Sequence, residues 1–261
     1  MSEDRLLAYF DILGFKELVK TKELNISAKL KRFVNSSSLK INTEFETIYF
    51  SDTILFYTKT PGFSQDQFQD MTYIAQVFVI EMLQYKIPVR GVITYGEFNI
   101  DEEEKSKTKM FWGQGFIDVY EAESTENIIG LFMLPEAFYG HSFSQIKSEE
   151  ECSPKKYHVK YDGRILVNLF PRIAKVGEAY TLRDVIYISD SQILEEIVAY
   201  FFLKESVNKF TGKIANKYKN AIRLADNFIG DRLLTEMQGI YNNFDEYIPM
   251  YQELHGQEKS V

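Results

Sequence analysis

The feature that most constrains the fold is an apolar run that ends close to an acidic residue and a glycine. Residues 6–13 are apolar apart from Asp11, and Gly14 follows directly. A short apolar run broken by glycine is typical of a buried strand, and the residues after Gly14 have the pattern of a helix start. Unpaired amides and the helix dipole favour anions at such a start. Asp11 is therefore expected to lie beside a potential phosphate site.

A second aspartate, Asp52, lies between two strand-like runs. Residues 43–50 and 53–59 are rich in Thr, Ile, Phe and Tyr, which predicts two antiparallel strands with Asp52 at the turn. A helix cap at Asp11 and a turn role at Asp52 would be ordinary structural functions. A carboxylate on an apolar strand is costly to bury unpaired, however, and a shared cation would offset that cost. The pair predicts a Mg²⁺ or Mn²⁺ site completed by phosphate oxygens.

Composition limits the remaining classes of function. The 261 residues are 45% hydrophobic, with 21 Phe and 17 Tyr, which is enough for a packed core. A net charge of −8 disfavours a general nucleic-acid binder, and no apolar run approaches the ~20 residues of a membrane span. The single cysteine excludes an internal disulfide, and the acidic N-terminus lacks the basic start of a secretory signal. We expect a cytoplasmic protein that binds neither nucleic acid nor membrane.

The order of patterns predicts an α+β fold in which helices cover an antiparallel sheet, as in ferredoxin-like sandwiches. Up to about residue 133 the predicted order is βααββαβαβ, with a solvated connection beginning at 101–104. The charged stretch 145–156 suggests a boundary between a catalytic domain at 1–147 and an extension at 148–261 that packs on the core or dimerises it. Further elements are predicted by periodicity: helices at 15–21, 26–39 and through 68–82, strands at 89–96, 128–133 and 157–170, and helices within 190–219 and 220–242.

Four motifs, in order, resemble the class III nucleotidyl cyclase core. They are FDILGF at 10–15, FSDTI at 50–54, RGVITYG at 90–96 and WGQGFID at 112–118. The resemblance covers about residues 6–133, and the first three motifs are similar to the pyrimidine cyclases of bacterial anti-phage (Pycsar) defence. It implies a ferredoxin-like cyclase core, and a homodimer with the active site at the subunit interface.

The resemblance also implies roles for individual residues. Asp11, the carbonyl of Ile12 and Asp52 would hold two Mn²⁺ or Mg²⁺ ions, and the backbone amides of Leu13, Gly14 and Phe15 would bind phosphates. The 3′-hydroxyl of a nucleoside triphosphate would attack its own α-phosphate and expel diphosphate. A separate effector would sense the cyclic product.

Two positions that read a purine base in the resembled family carry other residues here. The lysine four residues before the second metal aspartate corresponds to Ile48, and the base-reading aspartate corresponds to Met110. These changes favour a pyrimidine, with UTP ahead of CTP. Tyr49 is the candidate base contact, and a strand aromatic packed in the core is the alternative.

The helix arginine of purine cyclases is also replaced. It corresponds to Glu121, so charge developing on the α-phosphate lacks that donor. Arg90 is the candidate substitute, because an unpaired guanidinium in an apolar strand would be costly. A salt bridge from Arg90 to an acidic neighbour is the alternative.

Three functions follow from this pattern. The first is a uridylate cyclase whose product, 3′,5′-cyclic UMP, is a second messenger in anti-phage defence. The second is an adenylate or guanylate cyclase with rearranged base contacts. The third is a degenerate cyclase fold that binds a nucleotide without turning it over.

Overall fold

The computed structural model describes residues 3–21, 26–34, 44–103, 108–125, 127–138, 158–161, 164–175 and 193–249. Within these segments the strands are β1 (Asp4–Ile12), β2 (Phe45–Phe50), β3 (Thr53–Thr58), β4 (Val89–Glu97), β5 (Asn99–Glu103), β6 (Thr108–Trp112), β7 (Gly130–Met133), β8 (His158–Tyr161) and β9 (Arg164–Val167). The helices are α1 (Phe15–Thr21), α2 (Ile26–Val34), α3 (Gln65–Gln84), α4 (Gln114–Thr125), α5 (Pro171–Lys175), α6 (Ile193–Ser206), α7 (Gly212–Ile229) and α8 (Asp231–Asn242).

Seven strands form the main sheet, in the order β2-β3-β1-β4-β7-β9-β8. Strand β1 is central and pairs antiparallel with β3 and β4, whereas β4 and β7 form a parallel pair. Strands β5 and β6 form a separate two-stranded ribbon. The predicted α+β class, with a mainly antiparallel sheet covered by helices, is confirmed.

Alternate residues of β1 face two different packing layers, as the period of a strand requires. Leu6, Ala8 and Phe10 are fully buried in a large cluster that includes residues of α3 and α6. Leu7 and Tyr9 face the opposite side and pack with residues of α4. Asp11 continues the second set, so its carboxylate belongs to the face covered by α4.

Helix α4 approaches β4 closely because glycines leave room for its backbone. A Cβ placed on Gly115 would lie 2.9 Å from the backbone carbonyl carbon of Gly96, closer than real Cβ atoms come. The turn before the helix uses Gly113, whose φ of +148° is rarely adopted by other residues. The GQG motif thus fixes how α4 lies on the sheet.

The ribbon of β5 and β6 occupies part of a segment that was predicted from the sequence to be a solvated connection. Residues 101–104 were predicted to begin a solvated connection, but Asp101 lies in β5 and pairs with Met110 of β6; Glu104 lies outside the described residues. The neighbouring pair, Ile100 and Phe111, packs against the apolar layer under α4. The acidic residues hid this strand, because acidic residues are uncommon in strands.

The C-terminal part continues the same sheet. Strand β9 pairs antiparallel with β7, β8 adds the edge strand, and α6 packs on α3. The predicted helical tracts at 190–219 and 220–242 are divided differently, because helix α7 ends before Gly230, whose φ is +81°. The proposed boundary stretch at 145–156 and the end of the helix predicted at 26–39 lie outside the described residues. Within the described chain, no helix is both long and apolar enough to cross a bilayer.

Candidate active site

The site is built on one row of residues across the sheet. Asp11 at the end of β1 pairs in register with Thr53 of β3 on one side and with Arg90 of β4 on the other. Arg90 in turn pairs with Gly130, the first residue of β7. The row therefore places a carboxylate and a guanidinium side by side near one end of the sheet.

Asp52 joins this row through the turn between β2 and β3. The amide of Ile12 donates to the backbone carbonyl of Asp52 at 2.9 Å, so the turn is held against the end of β1. Ser51, with φ at +54°, adopts the left-handed conformation that this tight turn needs. The structure thus brings together the two aspartates that are 41 positions apart in the sequence.

Arg90 is buried between two acidic side chains. Its Nη2 lies 3.3 Å from Oδ2 of Asp11 and forms an ion pair with Glu123 of α4. The side chains of Arg90 and Glu123 are only 11% and 7% exposed, against 21% for Asp11. Of the two alternatives left open for Arg90, the structure shows the salt bridge to acidic neighbours. A direct contact of Arg90 with phosphate stays a prediction.

Burial makes the charged forms of the acidic groups at this site less favourable. It raises the pKa of Asp11; the charge of Arg90 opposes this rise and the charge of Asp52 adds to it. Burial also raises the pKa of Glu123, to about 7, and the Arg90 charge again opposes the rise. Glu123 shares a hydrogen bond with Asp11 that favours its protonated form. A further cation placed beside Asp11 would therefore stabilise the charged form of this carboxyl group.

The sequence reasoning missed Glu123 altogether. The available signal was its position on α4, one residue after Ala122 and four after Val119, both of which face the sheet. A glutamate at the edge of an apolar helix face needs a partner, and Arg90 was the unexplained cation in the sheet. A further cation, Lys217 of α7, acts electrostatically on the same groups and was also missed.

The residues present fit a divalent cation. Asp11 and Asp52 supply hard carboxylate oxygens, and Ile12 is the last residue of β1 between them. The mutual repulsion of the two aspartates raises the pKa of Asp11, which is the effect that a bound cation would reverse. Within the described segments, no group of three or more His, Cys, Asp or Glu side chains forms a metal site by itself. Oxygens from substrate would have to complete the coordination.

The turn predicted to bind phosphate is partly occupied by the protein itself. The amide of Leu13 donates to the carbonyl of Pro88 at 2.9 Å, so it is not available as predicted. Gly14, with φ at +72°, opens helix α1, and its carbonyl accepts from Glu17. The amides of Gly14 and Phe15 stay as the predicted phosphate donors.

Tyr49 is the predicted site residue that the structure does not bring to this face. It pairs with Ile54, which belongs to the cluster under α3, and strand alternation directs Tyr49 to that same side. Asp11 faces the opposite side. Tyr49 is 38% exposed on the edge strand, so it is not the packed core aromatic of the alternative either. Ile48 and Met110, the two positions compared above with base-reading residues, carry apolar side chains, and Met110 is 54% exposed.

An exposed apolar patch lies around the ribbon and α4. Its members are large hydrophobic side chains with 44–57% exposure: Phe50, Met110, Trp112, Ile117 and Tyr120. The ring of Phe111 connects parts of this surface, at 6.2 Å from Phe50 and 5.3 Å from Phe116. Exposed apolar side chains that lie close together would suit an interaction surface.

Comparisons with known proteins find solved structures of similar fold, at low sequence identity. Scans against protein families and curated proteins gave no match. One similar structure is the dimeric guanylyl cyclase domain of the RhoGC fusion protein from the fungus Blastocladiella emersonii (15% identity, TM-score 0.43, covering 52% of this chain and 82% of that one). A second is the adenylyl cyclase CyaB from P. aeruginosa (12%, 0.43, 64% and 93%). A third is an adenylate cyclase from Trypanosoma brucei (15%, 0.40, 54% and 78%).

Proposed function

We propose that this protein is a divalent-metal-dependent nucleotidyl cyclase that converts a pyrimidine nucleoside triphosphate, UTP in the first place, to its 3′,5′-cyclic monophosphate and diphosphate. The observation that carries the proposal is the convergence of Asp11 and Asp52 at the end of β1, fixed by the hydrogen bond from Ile12 to the Asp52 carbonyl. The four cyclase-like motifs add support, since two of them supply these aspartates.

Each residue of the site has a role in this proposal. Asp11, Asp52 and the carbonyl of Ile12 would hold Mn²⁺ or Mg²⁺, which supplies acidification of the attacking hydroxyl and neutralisation of the leaving phosphates. Arg90 and Glu123 hold the Asp11 carboxylate in one orientation, because both contact it from a buried position. The amides of Gly14 and Phe15 would bind phosphate oxygens at the start of α1.

The preference for a pyrimidine rests on the two positions that correspond to the purine-reading residues of the resembled family. Ile48 and Met110 have no hydrogen-bonding group to contact an adenine or guanine edge. A smaller pyrimidine that relies on other contacts is therefore favoured. Tyr49 faces away from Asp11 of its own chain, so its proposed base contact would need a site shared between two subunits.

We extend the proposal to assembly and biological role. The exposed apolar patch around α4 and the ribbon suits a homodimer interface that borders the active site. The cyclic nucleotide would act in the cytoplasm as a second messenger, sensed by a separate effector in anti-phage defence. These roles rest on the similarity of the motifs at residues 10–15, 50–54 and 90–96 to those of the pyrimidine cyclases.

Turnover with each ribonucleotide tests the proposal directly. The purified protein is incubated with ATP, GTP, CTP or UTP and Mn²⁺, and products are identified by mass spectrometry. We expect cyclic UMP from UTP as the main product. Reaction of purines alone would replace the pyrimidine assignment by the adenylate or guanylate alternative, and absence of any cyclic product would refute the cyclase.

A second candidate function is nucleotide binding without turnover. It is favoured by helix α4, where Ile117 and Glu121 occupy the positions that carry the asparagine and arginine of purine cyclases. Calorimetry with a non-hydrolysable triphosphate, next to the turnover assay, separates the two functions. Binding with no product selects the binding module.

A further inference from the structure

The C-terminal helix α7 runs past the same end of the sheet as the active-site row. Ala221 and Leu224 of α7 line one small cavity together with Ile128 and Gly130. The side-chain amide of Asn220 also donates to the carbonyl of Asn127 at 2.9 Å. Helix α7 is therefore fixed against the beginning of β7.

This placement brings Lys217 to the active site. Lys217 lies one helical turn before Ala221, so both are on the same face of α7. Gly130, which shares the cavity with Ala221, is the register partner of Arg90, which in turn pairs with Asp11. Lys217 is half-buried, and its charge acts on Asp11, Glu123 and Arg90.

Lys217 does not take part in the ion pairs of Asp11 and Glu123. Arg90 makes the direct contacts with Asp11 and Glu123. Within the described residues, Lys217 influences both carboxylates through its charge but is in salt-bridge contact with neither. A flexible ammonium group beside an anionic cluster, with its donors not committed to a carboxylate, is suited to bind phosphate oxygens.

We propose that Lys217 binds the phosphate tail of the nucleotide held at Asp11 and Asp52, so that the C-terminal extension contributes a substrate-binding residue to the active site of its own chain. This inference rests on the proposed function. It also explains how a site that lacks the helix arginine obtains positive charge outside the buried Arg90.

The pKa of Lys217 is consistent with this placement. Burial lowers it, the Arg90 charge lowers it further, and Glu123 and Asp11 oppose that shift. A cation held in a partly desolvated place next to another cation gains most when a polyanion arrives.

The experiment uses calorimetry to measure binding of inorganic triphosphate, with Mn²⁺, to the wild-type 261-residue protein and to three variants. Losing one charged contact should weaken binding about 10- to 100-fold in Lys217→Met. Lys217→Arg should retain most of the affinity. Lys219→Met is the matched control, because Lys219 is exposed on the same helix and lines a groove with Arg223 and Asp226 instead.

Turnover and melting temperature complete the test. Lys217→Met should raise KM by a similar factor, while the melting temperature changes little because the side chain makes no ion pair with Asp11 or Glu123. Wild-type affinity in Lys217→Met, or an equal loss in Lys219→Met, would overturn the proposal. So would a lower melting temperature with unchanged affinity, which would make Lys217 a structural counter-ion.

The result also separates this inference from the proposed function. If the wild-type protein forms no cyclic product from any ribonucleotide but Lys217→Met alone loses triphosphate, the cyclase fails and the phosphate contact stands. If the wild-type protein is an active cyclase and Lys217→Met keeps its KM and affinity, the role of Lys217 fails and the cyclase stands.

Discussion

Replacing Arg90 with methionine should leave two carboxyl groups, Asp11 and Glu123, without the cation that both contact. Methionine keeps an unbranched apolar chain that replaces the aliphatic stem of arginine, so the substitution removes the charge and retains most of the packing of the stem. Because the Glu123 side chain is 7% exposed, water cannot replace the guanidinium. The substitution therefore tests how strongly the site depends on this one cation.

The expected cost can be derived from burial. Breaking a buried ion pair by removing one partner costs about 3–5 kcal/mol, because the remaining charge is left uncompensated. A chain of this length loses roughly 2–4 °C in melting temperature per kcal/mol. We expect Arg90→Met to melt about 6–20 °C below the wild-type protein near pH 8.

The sign of the pH dependence follows from Glu123. Its pKa is raised to about 7 in the folded protein from an ordinary 4.5, so between these values the folded state binds more protons than the unfolded state. The contribution of Glu123 to the stability of the wild-type protein is therefore fully present below about pH 4.5 and is lost as pH rises through about 7. Removing Arg90 removes a charge that lowers this pKa, so the window extends upward. The cost of Arg90→Met should be larger at pH 8 than at pH 5.

Thermal unfolding in EDTA at pH 5 and pH 8 measures these differences. Arg232→Met is the control, because Arg232 is half-exposed and pairs with Glu236 one helical turn away, a contact worth less than about 1 kcal/mol. In a Glu123→Gln background, Arg90→Met should cost less and lose most of its pH dependence. Equal cost at both pH values, or an unchanged cost in that background, would refute the reasoning.

Three further predictions concern single positions. Asp52→Ala should abolish cyclic nucleotide formation with little change in melting temperature, as assayed by mass spectrometry and thermal unfolding; full activity would remove Asp52 from the mechanism. Gly115→Ala should destabilise the protein by about 1–3 kcal/mol in urea, because its Cβ would meet Gly96 at 2.9 Å, whereas Gly239→Ala, with nothing within 4 Å, should be neutral or stabilising. Glu196→Ala should cost about 3 kcal/mol or more, since this buried carboxylate accepts from two amides at the start of α5; a change under 1 kcal/mol would contradict that role.

The sequence was sufficient to predict individual elements that have a strong local pattern. The apolar run that contains Asp11 and the two runs that flank Asp52 predicted strands, and the structure has β1, β2 and β3 at these places. The long helix through 68–82 followed from its apolar spacing in the same way. These features need no information from distant parts of the chain.

Other features depended on contacts that the sequence does not reveal. Glu123 and Arg90 are separated by 33 positions, and no sequence pattern near either residue indicates that their side chains form an ion pair. The side of the sheet that Tyr49 faces could not be predicted, because a shift of one residue along a strand reverses that side. The ribbon at β5 was missed because β5, with the sequence NIDEE, consists largely of acidic residues, which are uncommon in strands.

The pairing of β9 with β7 has a practical consequence for anyone who dissects this protein. A fragment ending at residue 147 would expose the hydrogen-bonding edge of β7, which invites association with other chains, and would strip α3 of the helix that covers it. Failure of such a fragment to stay in solution would say nothing about where catalysis resides. Point substitutions in the intact polypeptide are the sounder route to assigning its parts.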